Sequence, residues 1–150
     1  MGHRADLKPK RILFVCSGNT CRSPMAAGLA RKILGDQGVF QSAGISPSDS
    51  QANAKAIEVM CEMGIDIRNH CPRRVSSLSL SDFDFIIAMD SNVNLQLKSL
   101  LSGRPAKILS WEVDDPWGRD IEDYRECAET IRMKLFGLRK FLEEAEGHHP

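Results

Sequence analysis

The chain has neither an excess of charge of one sign nor a long apolar run. Its 150 residues carry 20 Lys and Arg against 20 Asp and Glu, so the formal net charge is zero. Balanced charge gives no electrostatic case for nucleic acid or a membrane surface as a partner. No run approaches the length of a membrane span, and residues 1–4 lack the apolar core of a signal peptide. Asp6 also fails to fit a myristoylation motif, so we expect a cytoplasmic protein.

The cysteines lack the patterns that build disulfide scaffolds or zinc sites. There are five, an odd number, and no two of them form a C-x-x-C pair. Cys71 follows His70, but no second pair completes a metal site. This usage is typical of a reducing compartment, and we predict neither a metal nor another cofactor.

Length and composition predict a single small domain. The hydrophobic fraction of 42% over 150 residues is enough for a sizeable core. We expect one domain over residues 1–150, with residues 1–8 and 147–150 disordered, and a monomer.

The most informative segment follows the apolar run at residues 12–15. It reads Cys-Ser-Gly-Asn-Thr-Cys-Arg at residues 16–22 and leads into Ser23-Pro24 and an alanine-rich stretch. The pattern predicts a buried strand, a tight loop and the start of a helix. A thiol and a guanidinium would then flank one loop of backbone N–H groups.

Such a loop can hold a tetrahedral oxyanion without a metal. Its N–H groups turn inward, and the N-terminus of the helix adds a partial positive charge. Gly18 and Asn19 are residue types that tolerate the positive φ angle such a loop needs. Arg22 can hold two oxyanion oxygens with its planar fork. The same positive field favours the nucleophilic thiolate of Cys16, and the hydroxyl of Ser23 can support it.

Apolar and polar segments alternate along the chain as in an α/β fold. We predict a three-layer domain in which a four-stranded parallel sheet has helices on both faces, with the anion-binding loop between strand one and helix one. The expected strands span residues 11–16, 39–43, 85–89 and 106–109, and the expected helices span residues 24–35, 53–63, 91–101 and 121–144. Ligands of such folds bind at the carboxyl ends of the strands, where Cys16 lies.

A carboxylate pair near the last helix is the candidate proton donor. Asp114 and Asp115 precede Pro116 and Trp117, so two carboxyl groups share one rigid segment beside an aromatic ring. Adjacent carboxylates favour protonation of one of them. Asp-Pro pairs are also common in turns, and either aspartate could serve as the acid.

The motif C-x5-R-S-P closely resembles that of the low-molecular-weight protein tyrosine phosphatases. The resemblance extends over residues 11–143 through further segments in the same order. These are Ser42-Ala43-Gly44, Gly64-Ile65-Asp66, His70 with Arg73, Ala88-Met89-Asp90 and Asp115-Pro116-Trp117.

The resemblance assigns a role to each candidate residue. It implies that Cys16 is the nucleophile, that Arg22 stabilises the phosphoryl oxygens and that Asp115 is the general acid. The implied substrate-binding residues are Ser17, Gly18, Asn19, Thr20, Cys21 and Trp117, and the implied supporting residues are Asn19, Ser23, Ser42 and His70. His70 is not expected to transfer protons. Gly118 stands where relatives often carry a second aromatic residue, so one wall of the pocket should be thinner.

Cys21 has two open interpretations. The resemblance implies a reversible disulfide with Cys16 that shields the nucleophile from over-oxidation. A small packing residue facing the core is the alternative.

Three functions remain open. The first is a phosphatase acting on phosphorylated proteins through a phosphocysteine intermediate. The second is an arsenate reductase on the same fold, although related thioredoxin-coupled enzymes use two further cysteines past mid-chain, and none lies between Cys71 and Cys127 here. The third is a non-enzymatic phosphate-binding module, which would not need Cys16, Arg22 and an acid together, or a phosphotransfer subunit with a phosphocysteine loop, although loops of that kind lack the arginine.

Thr20 bears on the substrate. Relatives that act on phosphotyrosine commonly have an apolar branched residue there, whereas threonine is similar to the phosphoarginine phosphatase branch. A hydroxyl can pair with a guanidinium, while Ile or Leu would leave its N–H groups unpaired. Residues 45–53 also lack an aromatic side chain that could hold a tyrosine ring. We expect action on both phosphoarginine and phosphotyrosine, with arginine preferred.

Overall fold

Four short strands form one parallel sheet. The computed structural model describes residues 9–101 and 107–146. In it the strands are β1 (Lys10–Cys16), β2 (Gly38–Gly44), β3 (Phe85–Ala88) and β4 (Lys107–Ser110). Their order across the sheet is β2-β1-β3-β4, and each neighbouring pair is parallel. Each connection therefore crosses back over the sheet, as the sequence predicts.

Helices cover both faces of this sheet. They are α1 (Arg22–Leu34), α2 (Ala54–Glu62), α3 (Ser91–Leu100) and α4 (Ile121–Glu146). Alternate residues of β1 divide the core, because successive side chains of a strand point to opposite faces. Ile12 and Phe14 pack in the core that includes α1, α2 and α4. Leu13 and Val15 pack with α3 in the second core. The predicted fold class is thus confirmed.

Boundaries differ from the predicted ones by a residue or two. The largest corrections are of two residues: α4 ends at Glu146 and not at residue 144, and α1 begins at Arg22 and not at residue 24. Pro24 falls in the first turn, where its missing N–H costs no helical hydrogen bond. The helix also ends at Leu34, and Gly35–Gln37 forms a separate 3-10 turn. Two further 3-10 turns, Val75–Ser77 and Leu80–Asp82, were not predicted.

The remaining differences lie at the ends of the other elements. Strand β4 runs one residue later than expected, and residue 106 lies outside the described residues. The expected disorder of residues 1–8 and 147–150 also concerns residues outside that part of the chain. Among the helices described, none is long and apolar enough to cross a membrane.

The carboxyl ends of the strands bring distant segments to one edge. Beyond β4, the backbone stays beside β3: the N–H of Trp111 donates to the carbonyl of Ala88, and that of Val113 donates to Met89. This pairing carries the chain toward the end of β1. Asp115 therefore reaches the edge at which Cys16 lies.

Candidate active site

The loop between β1 and α1 is tightly folded around the Cys16 sulfur. The N–H of Asn19 donates to Cys16 Sγ at 3.2 Å. Asn19 has φ 58°, the left-handed conformation expected of this loop. No side chain caps the N-terminus of α1, and its first turn contains no acidic residue. The positive end of the helix is thus left to face an anion.

Asn19 holds this loop through its own side chain. Its Nδ2 donates to Ser23 Oγ at 2.8 Å and to Ser42 Oγ at 3.0 Å. Its Oδ1 accepts from the backbone N–H of Arg73 at 3.0 Å. The side chain therefore ties the loop to α1, to β2 and to the segment after α2.

The other supporting residues complete the same network. Ser23 Oγ lies 2.9 Å from Cys16 Sγ. Ser23 Oγ accepts from Asn19, and its own hydrogen can point at the sulfur or at the more distant carbonyl of Ala43, 3.4 Å away. His70 Nε2 lies 2.8 Å from the carbonyl of Asn19, so this nitrogen carries the hydrogen. Burial lowers the pKa of His70, which favours its neutral form.

Arg22 is held at the base of the pocket by two fixed acceptors. Its Nη1 donates to Asp90 Oδ2 at 2.8 Å and to the carbonyl of Val113 at 2.9 Å. Burial alone would lower the pKa of Arg22, but the hydrogen bond to Asp90 and nearby negative charge leave it raised. With Nη1 occupied, the rest of the guanidinium remains for an oxyanion.

Asp90 anchors this arrangement. Its Oδ1 accepts from the N–H of Val93 and so caps α3, while its Oδ2 accepts from Arg22. Burial would raise the pKa of Asp90, but these hydrogen bonds outweigh that effect and lower it. The sequence names Asp90 within the segment Ala88-Met89-Asp90 but predicts no role for it. Its position directly after the β3 segment, at the edge where β1 also ends, was the available signal.

Asp115 lies at the mouth of the same pocket. Its Oδ2 is 3.7 Å from Arg22 Nη2, and its Oδ1 accepts from the N–H of Trp117 at 3.1 Å. The Asp115 side chain is half-exposed, and Trp117 is 64% exposed. Both aspartates line a neighbouring cavity, but only Asp115 also lines the pocket that contains Cys16, which distinguishes the two carboxylates. Gly118 adopts φ 81°, and a Cβ there would meet nothing within 4 Å.

The pocket is a cavity of about 250 Å³ over the Cys16 sulfur. The predicted residues that line it are Cys16, Ser17, Gly18, Thr20, Cys21, Arg22, Asp115 and Trp117. Ser46, Ser48 and Asp49 also line it and were not predicted. Asn19, Ser23, Ser42 and His70 support the loop from behind through the contacts above.

Cys21 belongs to the loop, lines the pocket and is also buried in the core that includes α1, α2 and α4. Its Sγ is 3.6 Å from Thr20 Oγ1 and 3.6 Å from the hydroxyl of Tyr124. Burial raises the pKa of Cys21 and that of Tyr124. Cys16 and Cys21 are both free thiols that line one pocket, and their pairing stays a prediction.

The described residues contain no group of three His, Cys, Asp or Glu side chains that could hold a metal ion. Arg22 and the backbone N–H groups of the loop supply positive charge to the pocket. A tetrahedral oxyanion can be bound by these groups above a cysteine sulfur, with a carboxyl group at the mouth.

The site combines three features at the end of a parallel strand: a cysteine thiol, a loop that can bind phosphate and a buried arginine. This combination is typical of enzymes that use a cysteine to attack a bound oxyanion. The sequence pattern of the family described as "Low molecular weight phosphotyrosine protein phosphatase" matches residues 11–147. The chain belongs to that family.

Individual relatives carry different activities in their names. An arsenate reductase of Staphylococcus aureus is 34% identical over 126 residues, which cover 84% of this chain and 93% of the relative. A low-molecular-weight protein tyrosine phosphatase from T. tengcongensis superposes with TM-score 0.76 at 34% identity and covers 87% and 98% of the two chains. The YwlE arginine phosphatase from Geobacillus stearothermophilus gives TM-score 0.78 at 29% identity, covering 95% and 99%.

Proposed function

We propose that the protein is a cysteine-dependent phosphatase that removes phosphate from phosphoarginine and phosphotyrosine in proteins, with arginine preferred. The observation that carries this proposal is that Cys16, Arg22 and Asp115 line one cavity. A module that only binds phosphate would need neither the thiol nor a carboxyl group at the mouth.

The proposed reaction has two steps. Cys16 Sγ attacks phosphorus, an S–P bond forms, and the bond from phosphorus to the leaving oxygen or nitrogen breaks. Asp115 gives its proton to that leaving atom. Asp115 then takes a proton from water, whose oxygen attacks phosphorus and releases Cys16 as thiolate and phosphate. Arg22 and the loop N–H groups stabilise the phosphoryl oxygens throughout.

Substrate preference is argued from the walls of the pocket. Thr20 is only 6% exposed, yet it lines the cavity and its side chain carries a hydroxyl. The segment after β2 contributes Ser46, Ser48 and Asp49 to the lining, none of them aromatic. A polar, planar guanidinium can form hydrogen bonds with these side chains, whereas the only aromatic side chain in the lining that can pack against a tyrosine ring is Trp117. Similarity to an arginine phosphatase supports the same preference.

Arsenate reduction is the second candidate, since relatives with 34–36% identity bear that name. The related thioredoxin-coupled reaction needs further reactive cysteines. Cys61 and Cys71 are exposed, one on α2 and one after it. Cys127 is buried, and burial raises its pKa to about 12, so little of it is thiolate at neutral pH. These positions favour hydrolysis over a disulfide relay.

Initial rates on matched peptides test the proposal. We expect the wild type to hydrolyse a phosphoarginine peptide faster than a phosphotyrosine peptide of the same sequence, without a requirement for metal. Cys16→Ser should abolish both activities, and Thr20→Ile should shift preference toward tyrosine by removing a hydrogen-bonding hydroxyl. Absence of phosphoarginine hydrolysis by the wild type would overturn the arginine preference. Thioredoxin-dependent arsenate reduction with no phosphatase activity would favour the second candidate.

A further inference from the structure

One carboxylate that lines the pocket takes no part in the proposed reaction. Asp49 lines the cavity together with Asp115 and Arg22, and these three are its charged lining residues. Arg22 is buried at the base, whereas Asp49 is exposed at the mouth. The charge of the pocket lining is therefore positive at the base, from the arginine, and negative at the mouth, from the two carboxylates.

The position of Asp49 is fixed by the phosphate-binding loop. The N–H of Ser46 donates to the carbonyl of Ser17 at 2.9 Å, at the start of the segment that carries Asp49. At its end, the N–H of Asn53 donates to the carbonyl of Thr20 at 3.0 Å. Asn53 also caps α2 through its side chain. The segment is thus attached at both ends to the loop that surrounds Cys16.

The two rim carboxylates differ in what they already contact. Asp115 lies 3.7 Å from Arg22 and accepts from the N–H of Trp117. Across residues 9–101 and 107–146, Asp49 has no hydrogen bond or ion pair to another residue. Its negative charge is therefore available to a substrate.

We propose that Asp49 is a specificity-determining residue that pairs with the cationic guanidinium of a phosphoarginine whose phosphoryl group lies above Cys16. This inference rests on the proposed phosphatase function. Phosphotyrosine carries the phosphoryl charge with no cation behind it, so the same carboxylate repels it. Asp49 thus acts in opposite directions on the two substrates, which a purely structural residue would not do.

The effect is moderate because the carboxylate is exposed. An exposed ion pair changes an equilibrium by about two- to five-fold, and salt weakens it. We expect Asp49→Asn to lower kcat/KM on the phosphoarginine peptide by about two- to five-fold, mainly through KM, and to raise it on the phosphotyrosine peptide. Asp49→Lys should enlarge both changes, and Asp49→Glu should restore the wild-type ratio.

The test measures initial rates on matched phosphoarginine and phosphotyrosine peptides at low and high ionic strength. Asp36→Asn, an exposed carboxylate in the 3-10 turn at the other end of the sheet, is the control and should leave the ratio unchanged. Equal changes on both substrates, or an unchanged ratio in an active Asp49→Asn enzyme, would overturn the role of Asp49 alone. A wild type that never hydrolyses phosphoarginine would overturn the proposed arginine preference and this inference together.

Discussion

Asn19 combines the two properties that the loop around Cys16 needs. It tolerates φ 58°, and its buried side chain makes three hydrogen bonds that join α1, β2 and the segment after α2. A glycine would meet the first need but not the second. The three hydrogen bonds hold the loop against one helix, one strand and a distant part of the chain. The side-chain amide of Asn19 therefore helps to fix the loop conformation, in addition to the tolerance of asparagine for a positive φ.

Asp115 gives the sharpest prediction for a single residue. Asp115→Asn keeps the shape of the side chain but cannot supply a proton. We expect a loss of about 100-fold or more on phenyl phosphate, whose leaving oxygen needs protonation, and a much smaller loss on p-nitrophenyl phosphate. The measurement is kcat/KM on the two substrates, which reports on the step that expels the leaving group and not on the later hydrolysis step in which Asp115 acts again.

Asp114→Asn is the matched control, because this neighbour does not line the pocket that contains Cys16. It should change both rates little. Equal losses on the two substrates in Asp115→Asn would remove Asp115 from the role of acid, and a leaving-group-dependent loss in Asp114→Asn would transfer that role to Asp114.

At the level of elements, local patterns predicted the strands and helices well. Apolar runs located all four strands, and the position of Cys16 at the end of the first one predicted the edge at which the site lies. What local patterns missed depends on distant contacts. Asp90 meets Arg22 across 68 residues of sequence, and Asp49 reaches the pocket only because its segment is bonded to the loop. Periodicity carries no information about such pairs.

The end of β2 approaches the loop so closely that only glycine fits. A Cβ on Gly44 would lie 2.9 Å from the Cβ of Asn19 and 2.9 Å from the carbonyl oxygen of Ser17. We expect Gly44→Ala to lower the free energy of unfolding by about 1–3 kcal/mol through overpacking, and to lower phosphatase activity by displacing the loop. Chemical denaturation and initial rates measure the two effects.

Gly137 provides the contrasting substitution. It is exposed in α4, and a Cβ there would meet nothing within 4 Å. Gly137→Ala should raise the free energy of unfolding by about 0.5–1 kcal/mol through helix propensity, with activity unchanged. If Gly44→Ala were as stable and active as the wild type, the close approach of β2 would not constrain the loop.

At the level of the whole molecule, the zero net charge conceals a strong local asymmetry. Arg22 is enclosed at the base of the pocket while Asp49 and Asp115 stand at its mouth. A neighbouring cavity shares Asp115 and is lined by further acidic side chains. Composition predicted no partner that needs a uniformly charged surface, whereas the arrangement of charges around the site follows only from the folded chain.

His70 links the site to the pH dependence of the whole fold. Burial lowers its pKa below the ordinary value of 6.5, and Arg73 and Arg31 also disfavour its charged form. Below pH 6.5 the unfolded chain therefore binds a proton that the native His70 does not yet bind. The stabilising contribution is complete above pH 6.5 and is lost as the pH falls through the native pKa.

We therefore expect the free energy of unfolding to decrease as the pH is lowered from about 7.5 to about 5.5 at fixed ionic strength. His70→Gln keeps an N–H donor for the carbonyl of Asn19 but cannot take up a proton, so it should flatten this dependence while retaining most of the activity. Denaturant titrations at several pH values, run on both proteins, measure the difference in slope. An identical slope in wild type and His70→Gln would show that other groups cause the loss of stability in acid.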